Sequence, residues 1–448
     1  MQDNLYMEKY RQDIIDTASE LIKIRSVKSE ATEDAPFGEG PKKALDKFLD
    51  IAKDLGFKTG NVDNYAGYIE FGSEDEDAPL IAVVCHLDVV PEGEWEDAYE
   101  PKLDEENDLL IGRGSVDDKG PTVAVLYAMK DLLDSEFDAK CRIRLIVGTD
   151  EENGSGGLDY YVEHAEVPVA AFTADADFPV INAEKGQLNL ELVWDNKAAR
   201  PEDGEFKLFR ADCGTKSNVV PGEAKLVFKD ANGELKEKTT EGKMGHASAP
   251  QYYKNAIQYA LADAYELSKE KGSKDKFLED YMQVLNTEYD GESLGVKLSD
   301  EPSGDLSLNV GLFSLEDDVA RITIDIRYPV TYTTEEVLDM IKEAIKDTDF
   351  SIENVSDTVP LYVEKDDPLV ALLMNAYNEV TGDDSDPVAT GGGSYARHVP
   401  NTVAFGANFP GVEYLGHAKY EYTNISDLIR ASEIFRLAIQ KLDAEYGK

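Results

Sequence analysis

The chain has 448 residues, 42% of them hydrophobic, and it carries 91 acidic against 45 basic residues, a formal net charge of −46. This length exceeds one ordinary core and suggests two domains, or one large domain with an insertion. A surface this negative repels phosphate backbones and anionic lipids, so we expect no nucleic-acid partner and no membrane partner.

The start of the chain and its cysteines favour a cytoplasmic location. The first residues, MQDNLYMEKYRQD, are polar, and no basic-then-apolar secretory leader follows. No apolar run reaches the roughly 18 residues that a membrane helix needs. The three cysteines, Cys85, Cys141 and Cys213, are odd in number and unrelated in spacing, so no disulfide framework is expected.

The first part of the chain alternates helices and strands. Apolar periodicity predicts amphipathic helices at 9–24 and 40–57 and a further helix near 121–133. The continuous apolar run at 78–90 predicts a central strand that is covered on both faces. Strands at 141–152 and 169–177 end in carboxylates, and ligands of such α/β sheets gather beyond the carboxyl ends of the strands.

The pattern changes after about residue 184. Segment 185–380 mixes polar strands with helices, as an α+β domain does, and after about 381 the α/β pattern returns and ends in a helix at 425–442. The sequence therefore predicts one α/β domain made of 1–184 and 381–448, which is interrupted by an inserted domain at 185–380.

His86-Leu87-Asp88 closes the buried strand at 78–90. Alternation along a strand points both polar side chains the same way. Metal-binding histidines usually pass their second N–H to a neighbouring acceptor, and a carboxylate is one such acceptor. The pattern permits a metal ligand with an orienting acid, although a strand-end histidine is more often no ligand at all.

Acidic residues recur where chemistry is expected. Asp117-Asp118 precedes a helix, where carboxylates are also favoured for the helix dipole alone. Adjacent acids at a strand end point in different directions, so of Glu151-Glu152 one could bind metal while the other stays free as a base. Both could equally be solvated surface acids. Asp175 lies near the end of the strand predicted at 169–177, with Asp177 as a rival for the same role.

Histidine is scarce, with five in the chain. His86, His246 and His417 lie in the Gly- or acid-flanked contexts CHLD, MGHASAP and LGHAKYE. His164 reads as a helix-surface residue, and His398 is ambiguous. Three of the five are therefore candidates for the site.

Together these segments resemble the M20 family of metallopeptidases. The motifs that carry the resemblance follow in the family's order: HLDVVPEGEW, GRGSVDDKGP, GTDEENGSGG, the strand-end Asp175, GHASAP and the late LGHA..E. Further marks shared with the Xaa-His and β-Ala-Xaa dipeptidases are INAEKG, SNVVPG, IRYP and GGGSYAR. The resemblance spans nearly the whole chain.

The resemblance implies a zinc-exopeptidase-like α/β catalytic domain with a mixed central sheet, interrupted by an α+β lid domain that carries His246. It also implies two divalent metal ions, with Zn²⁺ as first choice and Mn²⁺ or Co²⁺ as alternatives. His86 and Asp175 would bind one ion and Glu152 and His417 the other. Asp117 would bridge both ions and precede a cis peptide bond.

The remaining roles follow from the same resemblance. Asp88 would orient the site, Glu151 would be the general acid/base, and His246 would reach the scissile carbonyl oxygen when the domains close. The residues implied for the C-terminal half of the substrate are Asn218, Arg327, Gly392, Gly393, Ser394 and Arg397. Arg327 and Arg397 are the candidates to clamp the substrate carboxylate, because the guanidinium fork matches a carboxylate. For each arginine, a surface salt bridge is the plain alternative.

The implied activity is hydrolysis of dipeptides with a free N-terminus by a metal-bridging hydroxide, in a monomer. An N-acyl-amino-acid or related amide deacylase of the same family is the first alternative, and a non-catalytic metal or peptide binding protein is the second. GGGSYAR also invites a phosphate-loop or nucleophilic-serine interpretation. It matches neither GxxxxGK[ST] nor GxSxG, which argues against both.

Overall fold

The computed structural model describes residues 5–202 and 204–448, which divide into two compact units. The first unit comprises the chain up to Asn182 together with Val363–Val388 and Gly393–Lys448. The second comprises Ala183–Tyr362 and the short segment Ala389–Gly392.

The second boundary differs from the predicted one. The sequence pattern placed the return to the first domain at about 381, whereas the structure returns at Val363, before the helix Pro368–Thr381. That helix buries an apolar face in the core of the first unit, where it packs against the long helix Ile425–Tyr446. Amphipathic periodicity identifies such a helix but does not show which of two cores receives its apolar face.

The first unit is built on a mixed sheet, as predicted. In spatial order its strands are Lys58–Val62, Ala66–Gly72, Arg142–Gly148, Leu80–His86, Ala170–Thr173, Thr402–Phe405 and Val180–Glu184. Strand Leu80–His86 is buried along its whole length and lies parallel to both neighbours, which explains its uninterrupted apolar run. The sheet is mixed because the strands at its two ends pair antiparallel.

Helices and smaller sheets complete the first unit. Its α-helices are Arg11–Ile22, Glu39–Asp54, Lys119–Asp134, Gly156–His164, Pro368–Thr381 and Ile425–Tyr446, with 3-10 turns at Tyr6–Tyr10 and Tyr395–Arg397. Lys102–Asp104, Leu109–Ile111 and Tyr422–Asn424 form a small antiparallel sheet, and Ala176–Asp177 pairs with Ala407–Asn408. The short strand Val388–Thr390 crosses the division, since Val388 belongs to the first unit and Ala389 and Thr390 belong to the second.

The second unit is an α+β arrangement around an antiparallel sheet. In spatial order the strands are Leu235–Glu241, Glu223–Lys229, Lys207–Cys213, Ser307–Glu316, Val319–Tyr328, Gly186–Trp194 and Phe350–Thr358. Residues from the α-helices Ala256–Glu270, Lys276–Val284 and Thr334–Ile345 share the core of this unit with the sheet. The shorter elements are Lys197–Ala199, Val219–Val220, Gly245–His246, Pro250–Tyr252, Ser299–Asp300, Gly304–Asp305 and Leu361–Tyr362.

Within the described residues, no helix is both long enough and apolar enough to cross a membrane.

Candidate metal centre

Three neighbouring strands of the first unit end at one edge of its sheet. His86 is the last residue of Leu80–His86, Glu151 and Glu152 follow Arg142–Gly148, and Asp175 follows Ala170–Thr173. Because these strands run parallel, their carboxyl ends meet and bring the four side chains together.

Asp117 lies between His86 and His417, the two histidines implied as metal ligands. The Nε2 atom of His86 is 2.9 Å from Oδ1 of Asp117 and 3.4 Å from Oδ2 of Asp175. The Nε2 atom of His417 is 3.1 Å from Oδ2 of Asp117 and 2.8 Å from Oε2 of Glu152. Each oxygen of Asp117 thus faces a different imidazole.

Ligand atoms converge in two groups. His86, Glu151 and Asp175 form one group, and Asp117, Glu152 and His417 form the other; within each, the ligand atoms lie within 4.8 Å of one another. All five residues implied as ligands by the resemblance are in these groups. Glu151, implied as the general acid/base, is there too, so the geometry alone allows it either role.

The adjacent acid Asp118 has a different environment. It is fully buried, its Oδ2 accepts the backbone N–H of His86 at 3.0 Å, and it belongs to neither ligand group. The peptide between Asp117 and Asp118 is cis, as the resemblance implied.

Asp88 acts on the backbone more than on the imidazole. Its Oδ1 accepts the N–H of Glu151 at 3.0 Å and its Oδ2 that of Glu152 at 3.2 Å. The Nδ1 atom of His86 lies 3.0 Å from the backbone carbonyl of Asp88 but 3.5 Å from its carboxylate. The predicted orienting contact is therefore made by the main chain of Asp88, and its side chain holds the turn that carries both glutamates.

In the second unit, His246 has a defined tautomer. It lies on the short strand Gly245–His246, paired with Val219–Val220 next to Asn218. Its Nδ1 accepts the backbone N–H of Ser248 at 3.2 Å, which leaves the proton of a neutral ring on Nε2. Partial desolvation and the positive charge of Arg327 lower the pKa of His246, which favours the neutral ring.

Arg327 is committed to its own unit. Its Nε and Nη2 donate to the two oxygens of Asp325 at 2.6 and 2.8 Å, and its Nη1 donates to the carbonyl of Gly391 at 3.0 Å. The bidentate edge of the guanidinium, predicted to clamp a substrate carboxylate, is therefore occupied by Asp325. Asp325 and Arg327 are two residues apart on one strand, so their side chains project from the same face of the sheet and can pair.

The GGGSYAR segment divides between the units. Gly392 belongs to the second unit, and Gly393, Ser394 and Arg397 belong to the first. Ser394 caps the 3-10 turn Tyr395–Arg397 by accepting the N–H of Ala396 at 3.2 Å. This hydroxyl therefore has a structural role in the turn.

The model of peptidase family M20/M25/M40 matches residues 82–441. The chain belongs to this peptidase family. Relatives from Staphylococcus epidermidis and Staphylococcus haemolyticus, each named "Putative dipeptidase", are both 35% identical to it, and the alignments cover 98% of this chain and 98% and 99% of theirs.

Solved structures agree on the fold. Aminoacylhistidine dipeptidase from Vibrio alginolyticus superposes with a TM-score of 0.61 at 14% identity, covering 98% of this chain and 97% of that one. Human carnosine dipeptidase 1 gives a TM-score of 0.58 at 14% identity, with 98% of both chains covered. At these identities the comparison establishes the fold of this M20 peptidase and nothing finer.

The electrostatics of the centre favour cations. Burial raises the pKa of Glu151 and of Glu152, and burial with the charge of Asp117 raises that of Asp175. Hydrogen bonds with Asp117 and Glu152 raise the pKa of His417 to about 10. Desolvated carboxylates that crowd together in this way are stabilised in their charged form by a cation at the same place.

The donor set fits two divalent ions. In His86, the carbonyl of Asp88 can only accept, so Nδ1 carries the proton of a neutral ring and Nε2 keeps its lone pair for a metal. Mixed imidazole and carboxylate ligands suit Zn²⁺, Mn²⁺ or Co²⁺. The buried Cys85 thiol is in neither group, and burial raises its pKa well above the ordinary value.

Two residues with direct contacts to the centre received no role from the sequence. Glu421, fully buried, accepts from the N–H groups of Gly114, Val116 and Asp117 at 2.8 to 3.2 Å and pairs with Arg113 at 2.7 Å. Tyr414 donates its hydroxyl to Asp117 at 2.6 Å. The only signal for Glu421 was its place in the late LGHA..E pattern, and Tyr414 gave none.

Proposed function

We propose that this M20 peptidase is a metal-dependent dipeptidase that hydrolyses the peptide bond of dipeptides with a free N-terminus. Relatives that align along nearly their whole length carry a dipeptidase name. The observation that carries the proposal is the position of Asp117, with one oxygen toward His86 and the other toward His417. A carboxylate shared by two ligand groups can keep two ions as close together as two-metal hydrolytic sites need them, about 3.5–4 Å apart.

His86 and Asp175 are proposed to hold one ion, Glu152 and His417 the other, and Asp117 both. Zn²⁺ is the first choice, and Mn²⁺ or Co²⁺ are the alternatives. When bound, such ions polarise the peptide carbonyl and lower the pKa of a coordinated water to about 7.

Glu151 is proposed as the general acid/base. Its burial, together with the charges of Asp175 and Asp117, raises the pKa of its carboxyl, which suits a group that must take up a proton and release it again. It would accept a proton from the attacking water and return it to the leaving amine. Asp88 supports this role because it holds the N–H groups of both Glu151 and Glu152.

His246 is proposed as the donor to the developing oxyanion. Its Nδ1 accepts from Ser248, so the neutral ring presents an Nε2–H that can donate. Removing one such donor typically lowers kcat by about 10²–10³. The expected phenotype of His246→Ala is therefore a large loss of kcat with both metal ions retained.

The C-terminal half of the substrate is assigned to Asn218, Gly392, Gly393, Ser394, Arg327 and Arg397. Arg327 and Arg397 are both proposed as partners of the substrate carboxylate, since a guanidinium fork matches a carboxylate. The Nε and Nη2 edge of Arg327 already donates to Asp325. Arg397→Ala should then damage turnover of free dipeptides far more than turnover of substrates that lack a free C-terminus. Equal losses on both substrates would contradict this assignment.

The deciding experiment is turnover of a small panel of dipeptides and matching N-acetyl amino acids after metal stripping and re-addition of Zn²⁺, Mn²⁺ or Co²⁺. Metal-restored cleavage of the free dipeptides alone is the expected result. Cleavage confined to the acylated compounds would identify an amide deacylase instead. No turnover with any metal would point to a binding protein.

Glu151 and Glu152 offer a matched pair of variants for the roles in the centre. Glu151→Gln should abolish turnover while two ions per chain remain bound, and Glu152→Gln should lose an ion as well. Metal content by mass spectrometry separates these results. If Glu151→Gln also loses an ion, Glu151 is a ligand and not the base.

A monomer in the cytoplasm completes the proposal. Light scattering coupled to size exclusion should give a mass near 49.5 kDa, the mass of one chain. A stable dimer would contradict this part alone.

A further inference from the structure

Tyr414 brings a hydroxyl group into the metal centre from a loop. Tyr414 is 50% exposed, yet its phenol hydroxyl donates to Oδ2 of the buried Asp117 at 2.6 Å. His417, three residues further along the same loop, reaches the same oxygen at 3.1 Å. One short segment therefore contacts Asp117 twice.

Gly416 makes room for this contact. A Cβ atom built on Gly416 would lie 2.3 Å from the hydroxyl oxygen of Tyr414 and 2.4 Å from its Cζ. Separations below 3.0 Å essentially never occur for real Cβ atoms. A side chain at position 416 and the observed position of the Tyr414 hydroxyl are therefore mutually exclusive, which gives a reason for glycine next to His417.

Asp117 has the capacity for the extra partner. An ionised carboxylate offers about four lone-pair positions on its two oxygens. The imidazole of His86 faces Oδ1 and the imidazole of His417 faces Oδ2, so each oxygen points toward one of the two ligand groups. The phenol takes a further lone pair of Oδ2, and because it donates a proton, it does not act as a metal ligand.

The hydrogen bond from Tyr414 restrains rotation of the Asp117 carboxylate. A carboxylate that serves two ions must keep both oxygens in place, and rotation about its Cβ–Cγ bond would remove one of them. Hydrogen bonds to the ligands of a metal site fix such rotations, and their loss typically lowers metal affinity or activity by about 10–100-fold.

We propose that Tyr414 is a positioning residue that holds the carboxylate of Asp117 in the orientation that serves both ions, and that Gly416 is required for this contact. The inference rests on the proposed function of Asp117 as the shared ligand. Tyr414 acts through Asp117 and is not itself assigned a contact with substrate.

The test compares Tyr414→Phe with Tyr422→Phe, a control tyrosine on the short strand Tyr422–Asn424 that is 39% exposed. Metal dissociation constants are measured by chelator competition, the visible spectrum is recorded on the Co²⁺ form, and unfolding is followed in the metal-free protein. Tyr414→Phe should weaken metal binding by about 10-fold or more and alter the Co²⁺ spectrum, with unchanged metal-free stability. Tyr422→Phe should match the parent.

Two outcomes would overturn the assignment. One is metal binding by Tyr414→Phe within about twofold of the parent with an unchanged Co²⁺ spectrum. The other is a loss of metal-free stability that accounts for the weaker binding, since that would make the role structural. Both outcomes are read from metal binding and from stability, and neither depends on turnover. Failure of the proposed function would instead appear in the parent protein, which would then show no metal-dependent cleavage.

Gly416→Ala tests the second half of the inference. In the parent background it should weaken metal binding in the same direction as Tyr414→Phe, because the added methyl group displaces the hydroxyl. In the Tyr414→Phe background it should add little further loss. Equal losses in both backgrounds would mean that Gly416 acts through His417, and would overturn its link to Tyr414.

Discussion

The contact that holds the Asp117 segment can be tested by Glu421→Gln. The side chain of Glu421 is 0% exposed and that of Arg113 is 3% exposed, so this pair is fully removed from water. The glutamine amide can still accept from the N–H groups of Gly114, Val116 and Asp117, but it removes the charge that faces Arg113. A buried guanidinium then remains without its counter-charge.

Breaking a buried ion pair by removing one partner costs about 3–5 kcal/mol. The retained hydrogen bonds also weaken, since a charged acceptor is roughly twice as strong as a neutral one. We therefore expect Glu421→Gln to lower the free energy of unfolding of the metal-free protein by about 3–5 kcal/mol. Metal affinity should fall as well, because Asp117 lies in the same segment.

Urea unfolding of the metal-free parent and variant measures the effect. Glu413→Gln, a change at an exposed acid in the region of His417, is the control and should stay within about 0.5 kcal/mol of the parent. The double variant Arg113→Met with Glu421→Gln should recover part of the loss, since it removes the unpaired charge. A loss below about 1 kcal/mol, the range of exposed ion pairs, would refute this account of Glu421.

Two further predictions concern acid and metal. Burial raises the pKa of Asp275 to about 6 from 3.8, so its carboxyl binds a proton more tightly in the folded chain than in the unfolded chain. The protonated carboxyl therefore stabilises the fold by about 3 kcal/mol. This stabilisation is present below pH 3.8 and is lost as pH rises through about 6. As pH rises from about 4 to about 7, the free energy of unfolding of Asp275→Asn should therefore fall less than that of the parent. Equal falls in the two proteins, measured by urea unfolding at each pH, would contradict this. Metal removal should lower the unfolding temperature, because ligand at 100 times its Kd stabilises by about 2.7 kcal/mol. Equal unfolding temperatures for chelated and Zn²⁺-loaded protein would contradict binding to the folded state.

The strand-end residues could be predicted because parallel strands impose their geometry. The buried run that ends at His86 and the acids after two other strands had to meet once those strands were neighbours in one sheet. Sequence pattern is strong at this level, since strand direction and burial follow from local apolar runs. The α/β class of the first domain followed from the same reasoning, whereas the mixed sheet was implied by the resemblance to the M20 family.

Contacts made by loops and by alternative partners could not be predicted in this way. Glu421 meets Gly114 and Asp117 across some 300 residues of sequence, and no local periodicity marks such a pair. Arg327 was predicted as a substrate clamp because arginine suits carboxylates, yet Asp325 offers the same chemistry two residues away. Residue type predicts which partner a side chain prefers, whereas competition inside the fold decides which one it contacts.

Glu421 and Tyr414 support Asp117 in two different ways. Glu421 holds the backbone of its segment from inside the core, so a change there should affect both folding and metal binding. Tyr414 holds the carboxylate from an exposed loop, so a change there should affect metal binding alone. Stability of the metal-free protein therefore distinguishes the two residues even where their metal affinities fall alike. If Tyr414→Phe and Glu421→Gln were to lower metal-free stability equally, the two contacts would belong to one cooperative unit, and the separation between core support and loop support would be wrong.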